Sequence, residues 1–118
     1  MDIDENIELT SKQILILFFI ETEFANNQYK LIKHLDRSEF FPADLYTNLQ
    51  PLFEHRFIEV SGHLNNGTPF QYAITERGTK YLDANLRSND LMQFANGYSN
   101  KDFMVQIISV LLERRSQK

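Results

Sequence analysis

The chain has 118 residues, of which 42% are hydrophobic and 24% charged, enough for one core and one domain of ordinary globular composition. Its net charge of −4 and pI near 5.3 argue against indiscriminate nucleic-acid binding, and the lack of cysteine excludes disulfides and thiolate metal sites. Phenylalanine is common (10) and tryptophan absent, so phenylalanine must supply much of the core.

The opening MDIDENIEL is acidic and has no basic n-region of a signal peptide. The longest apolar run, Ile14 to Ile20, is far shorter than the ~20 residues that span a bilayer. A cytoplasmic protein with no membrane partner is expected. Thr10 or Ser11 can cap a first helix within residues 8–24. Its interior, ILILFFI, would also suit a buried strand, but the cap and a length of about three turns favour helix. A helix apolar almost all round needs cover on more than one side. Either the last helix of the same chain or a second subunit could provide it.

Residues 28–56 read as two helices joined by a turn. Asn26 or Asn27 can cap the first, about 28–36, with Leu31, Ile32 and Leu35 inward and Lys30, Lys33 and Arg37 outward. In the second, Pro42 sits near the first turn, and Leu45, Leu49, Leu52 and Phe53 share a face. Pro51 removes an interior backbone bond and predicts a kink or a break.

From Phe57 the pattern switches to period two, with Ile58 and Val60 on one side and Glu59 on the other. Gly62 to Gly67 is turn chemistry, and Phe70, Tyr72 and Ile74 alternate again. This predicts a hairpin over residues 57–75 that joins Phe57–Ser61 to Phe70–Ile74. Thr75 can cap a following helix that turns Tyr81 and Leu82 to the core, reaching Ala84 or Asn85. A short helix near Leu91, Met92 and Phe94 ends at Asn96-Gly97, and Asn100 can cap a last helix from Lys101 to about Arg114. That helix carries two apolar rows, Phe103/Ile107/Leu111 and Met104/Ile108/Leu112. The fold class expected is α+β: a winged helix-turn-helix with a two-stranded wing over residues 1–87, then a helical dimerisation segment over 88–118.

The run Leu45-Tyr46, Leu49, Leu52, Ile58, Tyr72, Ile74-Thr75 and Gly78 resembles the recognition helix, wing and T-x-x-G helix start of winged-helix transcription regulators. The phenolic-acid-repressor (PadR-type) family is the nearest in pattern, with MarR-type regulators behind it. The resemblance implies a DNA-binding homodimer. It places DNA contacts on Tyr46, Thr47, Asn48 and Gln50 of the third helix and on the wing tip through His63 and Asn65. Lys30, Lys33 and Arg37 would then hold phosphates on the second helix.

The residue types agree with such a role. Asn and Gln can pair both edges of adenine, and Thr can touch a thymine methyl. Against it, Asp44 and Glu54 repel phosphates, and the wing tip carries no Arg or Lys. A protein-interaction module with the same fold is therefore the competing reading. Dimerisation is expected through Phe18 and Phe19 of the first helix with Phe103, Ile107 and Leu111 of the last. The three histidines are isolated in sequence, and no nucleophile, phosphate loop or ligand spacing appears. No enzyme activity, cofactor or metal is expected.

Overall fold

A computed structural model describes residues 8–34, 42–97 and 101–117. Its elements are α1 (Ser11–Glu21), α2 (Gln28–His34), α3 (Pro42–Glu54), β1 (Ile58–His63), β2 (Pro69–Ile74), α4 (Glu76–Asn85), α5 (Ser88–Ala95) and α6 (Lys101–Ser116).

The central element is α1. Thr10 and Gln13 close a reciprocal capping box, Gln13 N–H donating to Thr10 Oγ1 at 3.1 Å and Thr10 N–H to Gln13 Oε1 at 3.0 Å. Leu15 to Ile20 are all fully buried, because β2, α3, α4 and α5 pack around the helix. Each such side chain removed from water contributes about 1.5–3 kcal/mol, so this one segment anchors the core. The cover comes from within the chain, which corrects the placement of Phe18 and Phe19 at a subunit interface: both are 0% exposed in the single chain.

After α1 the chain turns through Glu23, whose φ is 64°, and Ala25 is buried. Asn27 then bridges Gln71 of β2, and Asn26 C=O accepts from Tyr72 N–H at 2.7 Å. This isolated bridge lays the segment before α2 against the base of the two-stranded wing sheet. Three helices, then two antiparallel strands, with the bridge between the first two helices, is the winged helix-turn-helix order.

Asn27 also caps α2, its Oδ1 accepting from Lys30 N–H at 2.8 Å. The α3 helix runs unbroken to Glu54 across Pro51, so no break forms there. Pro51 lies near the end of α3, where its own carbonyl still accepts from His55 N–H at 2.9 Å, and Leu49 and Leu52 on either side are held in the core. Their burial offsets the roughly 3 kcal/mol that an interior proline costs. Arg56 N–H bonds Phe53 C=O at 3.0 Å and Phe57 N–H bonds Leu52 C=O at 2.8 Å, a Schellman end in which Arg56 (φ 61°) takes the left-handed position usually given to glycine.

The hairpin pairs Ile58 with Ile74, Glu59 with Ala73 and Val60 with Tyr72, then bulges at Ser61 so that Gly62 faces Gln71. Its tip closes by Gly67 N–H to Leu64 C=O at 2.9 Å, with Gly67 at φ 86°. Thr75 caps α4 by accepting from Gly78 N–H at 3.1 Å, and its hydroxyl donates to Arg56 C=O at 2.6 Å. The T-x-x-G pattern has a steric cause: a Cβ on Gly78 would collide with the Phe57 carbonyl oxygen and lie 2.8 Å from Ile74 Cγ1.

On α6 the inward face is Met104, Ile108 and Leu111, all buried, with α5 beneath. Leu111, at 2% exposure, is core and not free for a partner, a second correction to the expected interface. The outer apolar stripe is Phe103 (45% exposed), Ile107 (half-buried) and Val110 (48%). Asn100, expected to cap α6, lies outside the described residues. No helix among those described is long and apolar enough to cross a membrane.

Candidate nucleic-acid interface

The helix-turn-helix and the wing meet at one polar side chain, Gln28, at the start of α2. Its Nε2 donates to Tyr46 Oη at 2.8 Å on α3, to Tyr72 Oη at 3.1 Å on β2, and to the Pro69 carbonyl at 3.3 Å. One amide thus ties α2, α3 and the wing base together. Tyr72 is buried and packs edge-on against Phe53 of α3, their centroids 5.8 Å apart. Burial pushes the Tyr72 phenol up; the Gln28 bond works against that and the nearby Tyr46 adds to it.

Around this node the expected contact residues divide. Lys30 and Lys33 are exposed on α2, and Lys33 Nζ lies 5.8 Å from the ring centre of the exposed Tyr29, one turn back. Arg37 lies outside the described residues. On α3, Tyr46 is 53% exposed with its oxygen held by Gln28, while Thr47 and Gln50 are exposed. Gln50 Nε2 donates to Glu54 Oε2 at 3.1 Å, so its amide is already engaged along the helix. His63 and Asn65 stand exposed at the wing tip.

Asn48 departs from its expected place. It is only 8% exposed, because it follows Leu45 by three residues and precedes Leu52 by four, which puts it on the buried face of α3. As an outward base reader it is withdrawn. Gln28 was missed: its partners lie 18, 41 and 44 residues away. Its place at the first turn of α2, next to the capping asparagines, was the one local hint.

The histidines stand apart. His34, half-buried on α2, lies between Phe24, tilted at 4.4 Å between centroids, and Phe103, stacked at 6.4 Å. Its pKa lies below 6.5, from burial first and then from the charges of Lys33 and Lys30. The His55 carbonyl accepts from Arg77 Nε at 2.7 Å. Among the described residues no three His, Asp or Glu side chains group as metal ligands.

Positive charge near the node comes from α2, polar hydrogen-bonding groups from α3, and neutral groups from the wing. That arrangement can hold a few phosphates and present donors and acceptors beside them. No family model matches the sequence, and no curated protein matches it. Among solved structures, that of a mutant of Lactococcus lactis ZitR is similar with a TM-score of 0.47 and 19% identity, covering 99% of this chain and 80% of that chain.

Proposed function

We propose that this chain is a winged-helix transcriptional regulator, of the PadR-like pattern, that binds duplex DNA as a homodimer. The observation that carries the reading is the Gln28 node, which fixes α2, α3 and the wing base as one unit, with Lys30 and Lys33 outside on α2 and Thr47 and Gln50 outside on α3. In that arrangement α3 enters the major groove while α2 crosses the phosphates. Thr47 and Gln50 touch base edges, Lys30 and Lys33 hold phosphates, and His63 and Asn65 reach the flanking backbone. Arg37 is assigned with the two lysines. The second copy docks through the outer stripe of α6, Phe103, Ile107 and Val110.

The test is selection of genomic fragments by the purified protein at low salt, repeated with Lys30→Ala/Lys33→Ala. Enrichment of one sequence by the parent, and weaker binding to every sequence by the double variant, is the expected result. Each lost phosphate contact reduces the log–log salt slope by about 0.9. No enrichment, with the double variant equal to the parent, overturns the reading.

A second reading is favoured by one specific observation: the exposed hairpin end from His63 to Thr68 has no Arg or Lys, and the chain carries −4 overall. On that reading the same helix and wing dock a protein. A negative DNA selection moves the assignment there.

A further inference from the structure

The Gln28 node has a direction. The Pro69 carbonyl can only accept a hydrogen bond, so its place 3.3 Å from Gln28 Nε2 sets the amide with its NH2 toward the node. The NH2 has two N–H bonds for three acceptors: the shortest approach, 2.8 Å, makes Tyr46 Oη an acceptor, while Tyr72 Oη at 3.1 Å and the Pro69 carbonyl at 3.3 Å share the other. A phenol that accepts through its oxygen still has its own O–H to donate elsewhere. Tyr72 is buried, but Tyr46 is 53% exposed at the surface of α3, so its O–H has solvent-side directions open to it. Accepting a bond also polarises the hydroxyl and makes it a better donor.

We infer that Tyr46 is a phosphate-binding donor of the DNA interface and that Gln28 is the positioning residue that aims it. This rests on the DNA-binding reading above and gives Tyr46 a role distinct from base recognition. A phosphate oxygen is the matching partner, being anionic, acceptor-only and repeated along every duplex. A base edge is a poorer match, since the tyrosine ring is fixed at the junction of three elements and cannot follow sequence-dependent positions.

The consequence separates Tyr46 from the lysines and from Gln50. A neutral donor releases no bound counterion, so removing it lowers affinity without changing the salt slope. Binding of Tyr46→Phe, Gln28→Met and the double variant is measured on the selected duplex and on an unrelated duplex over a range of salt. Tyr46→Phe is expected to bind both duplexes about tenfold more weakly at unchanged slope. Gln28→Met keeps the length of the side chain and loses the amide; it is expected to weaken binding in the parent but add nothing in the Tyr46→Phe background. Circular dichroism confirms that each variant is folded, and Gln28→Asn, with a shorter amide, gives an intermediate case should Gln28→Met unfold. If the parent binds and Tyr46→Phe matches it, or if the two substitutions act additively, the inference fails while the DNA reading stands. A parent that binds neither duplex overturns both.

Discussion

Arg115 Nε lies 2.7 Å from Glu21 Oε1, so the last turn of α6 is bonded to the last turn of α1 across 94 residues of chain. The same guanidinium reaches Asp83 Oδ1 on α4 at 2.5 Å through Nη2. Burial disfavours the Arg115 charge, but the hydrogen bonds and fields of Glu21 and Asp83 outweigh it and raise its pKa above the ordinary value. The Glu21 side chain is only 8% exposed, whereas Asp83 is 61% exposed, so Glu21 is the partner that matters energetically. Arg115→Ala should cost about 1–3 kcal/mol by leaving a buried carboxylate without its partner. Asp83→Ala should cost well under half of that. Urea denaturation of the two variants checks the order, and equal losses would contradict it.

Gly78→Ala should be among the most damaging single-methyl changes in the chain. The added Cβ meets the Phe57 backbone oxygen, and backbone at the β1 start cannot move without displacing the Thr75 cap. A loss of roughly 3 kcal/mol is expected. An unchanged denaturation midpoint would show that the α4–β1 contact is looser than its geometry.

Arg56→Gly should act in the opposite direction. Arg56 holds φ 61° at the end of α3, where a side chain is strained and glycine is not. A gain of about 0.5–1 kcal/mol is expected, with Arg56→Ala near neutral as the control. If both variants behave alike, the left-handed backbone is not the cause.

Stability should also fall on the acid side through His34. Its folded pKa is below the unfolded value of 6.5, so the unfolded chain takes up this proton first as pH drops. No penalty is present above pH 6.5; it grows as pH falls from there through the depressed folded value. His34→Leu should flatten this part of the stability–pH curve while keeping an apolar filling between Phe24 and Phe103. A parent whose stability is flat from pH 7 through that window would refute it.

The outer face of α6 predicts self-association. Phe103 and Val110 are about half exposed and sit two turns apart on one stripe with Ile107 between them. Phe103→Asp should convert a dimer to a monomer by light scattering at high micromolar concentration. A parent of monomer mass there removes the dimer from the proposed function.

The winged-helix frame was legible because its signals are local. Leu45, Leu49 and Leu52 repeat at helical spacing, Ile58/Val60 and Phe70/Tyr72/Ile74 at strand spacing, and Thr75 to Gly78 marks a helix start. The bridge at Asn27 was not legible, since a single bridging residue has no period. The inner face of α6 was blurred by two apolar rows side by side; packing on α5 selected Met104, Ile108 and Leu111 and left Phe103 outside. Asn48 is inward because of its spacing from Leu45 and Leu52, and its polar side chain does not override that position. Of the candidate site, helical spacing makes the exposure of Lys30, Lys33, Tyr46 and Gln50 legible, but not the Gln28 node that joins their elements.

The burial of α1 has a consequence for synthesis. Leu15 to Ile20 leave the ribosome about sixty residues ahead of α4 and α5, which close over them. Until Ala95 has emerged, α3 and β2 alone can cover this apolar hexapeptide, and the sides that α4 and α5 close stay bare. The protein's yield in cells should therefore respond to chaperone supply more strongly than its final stability implies.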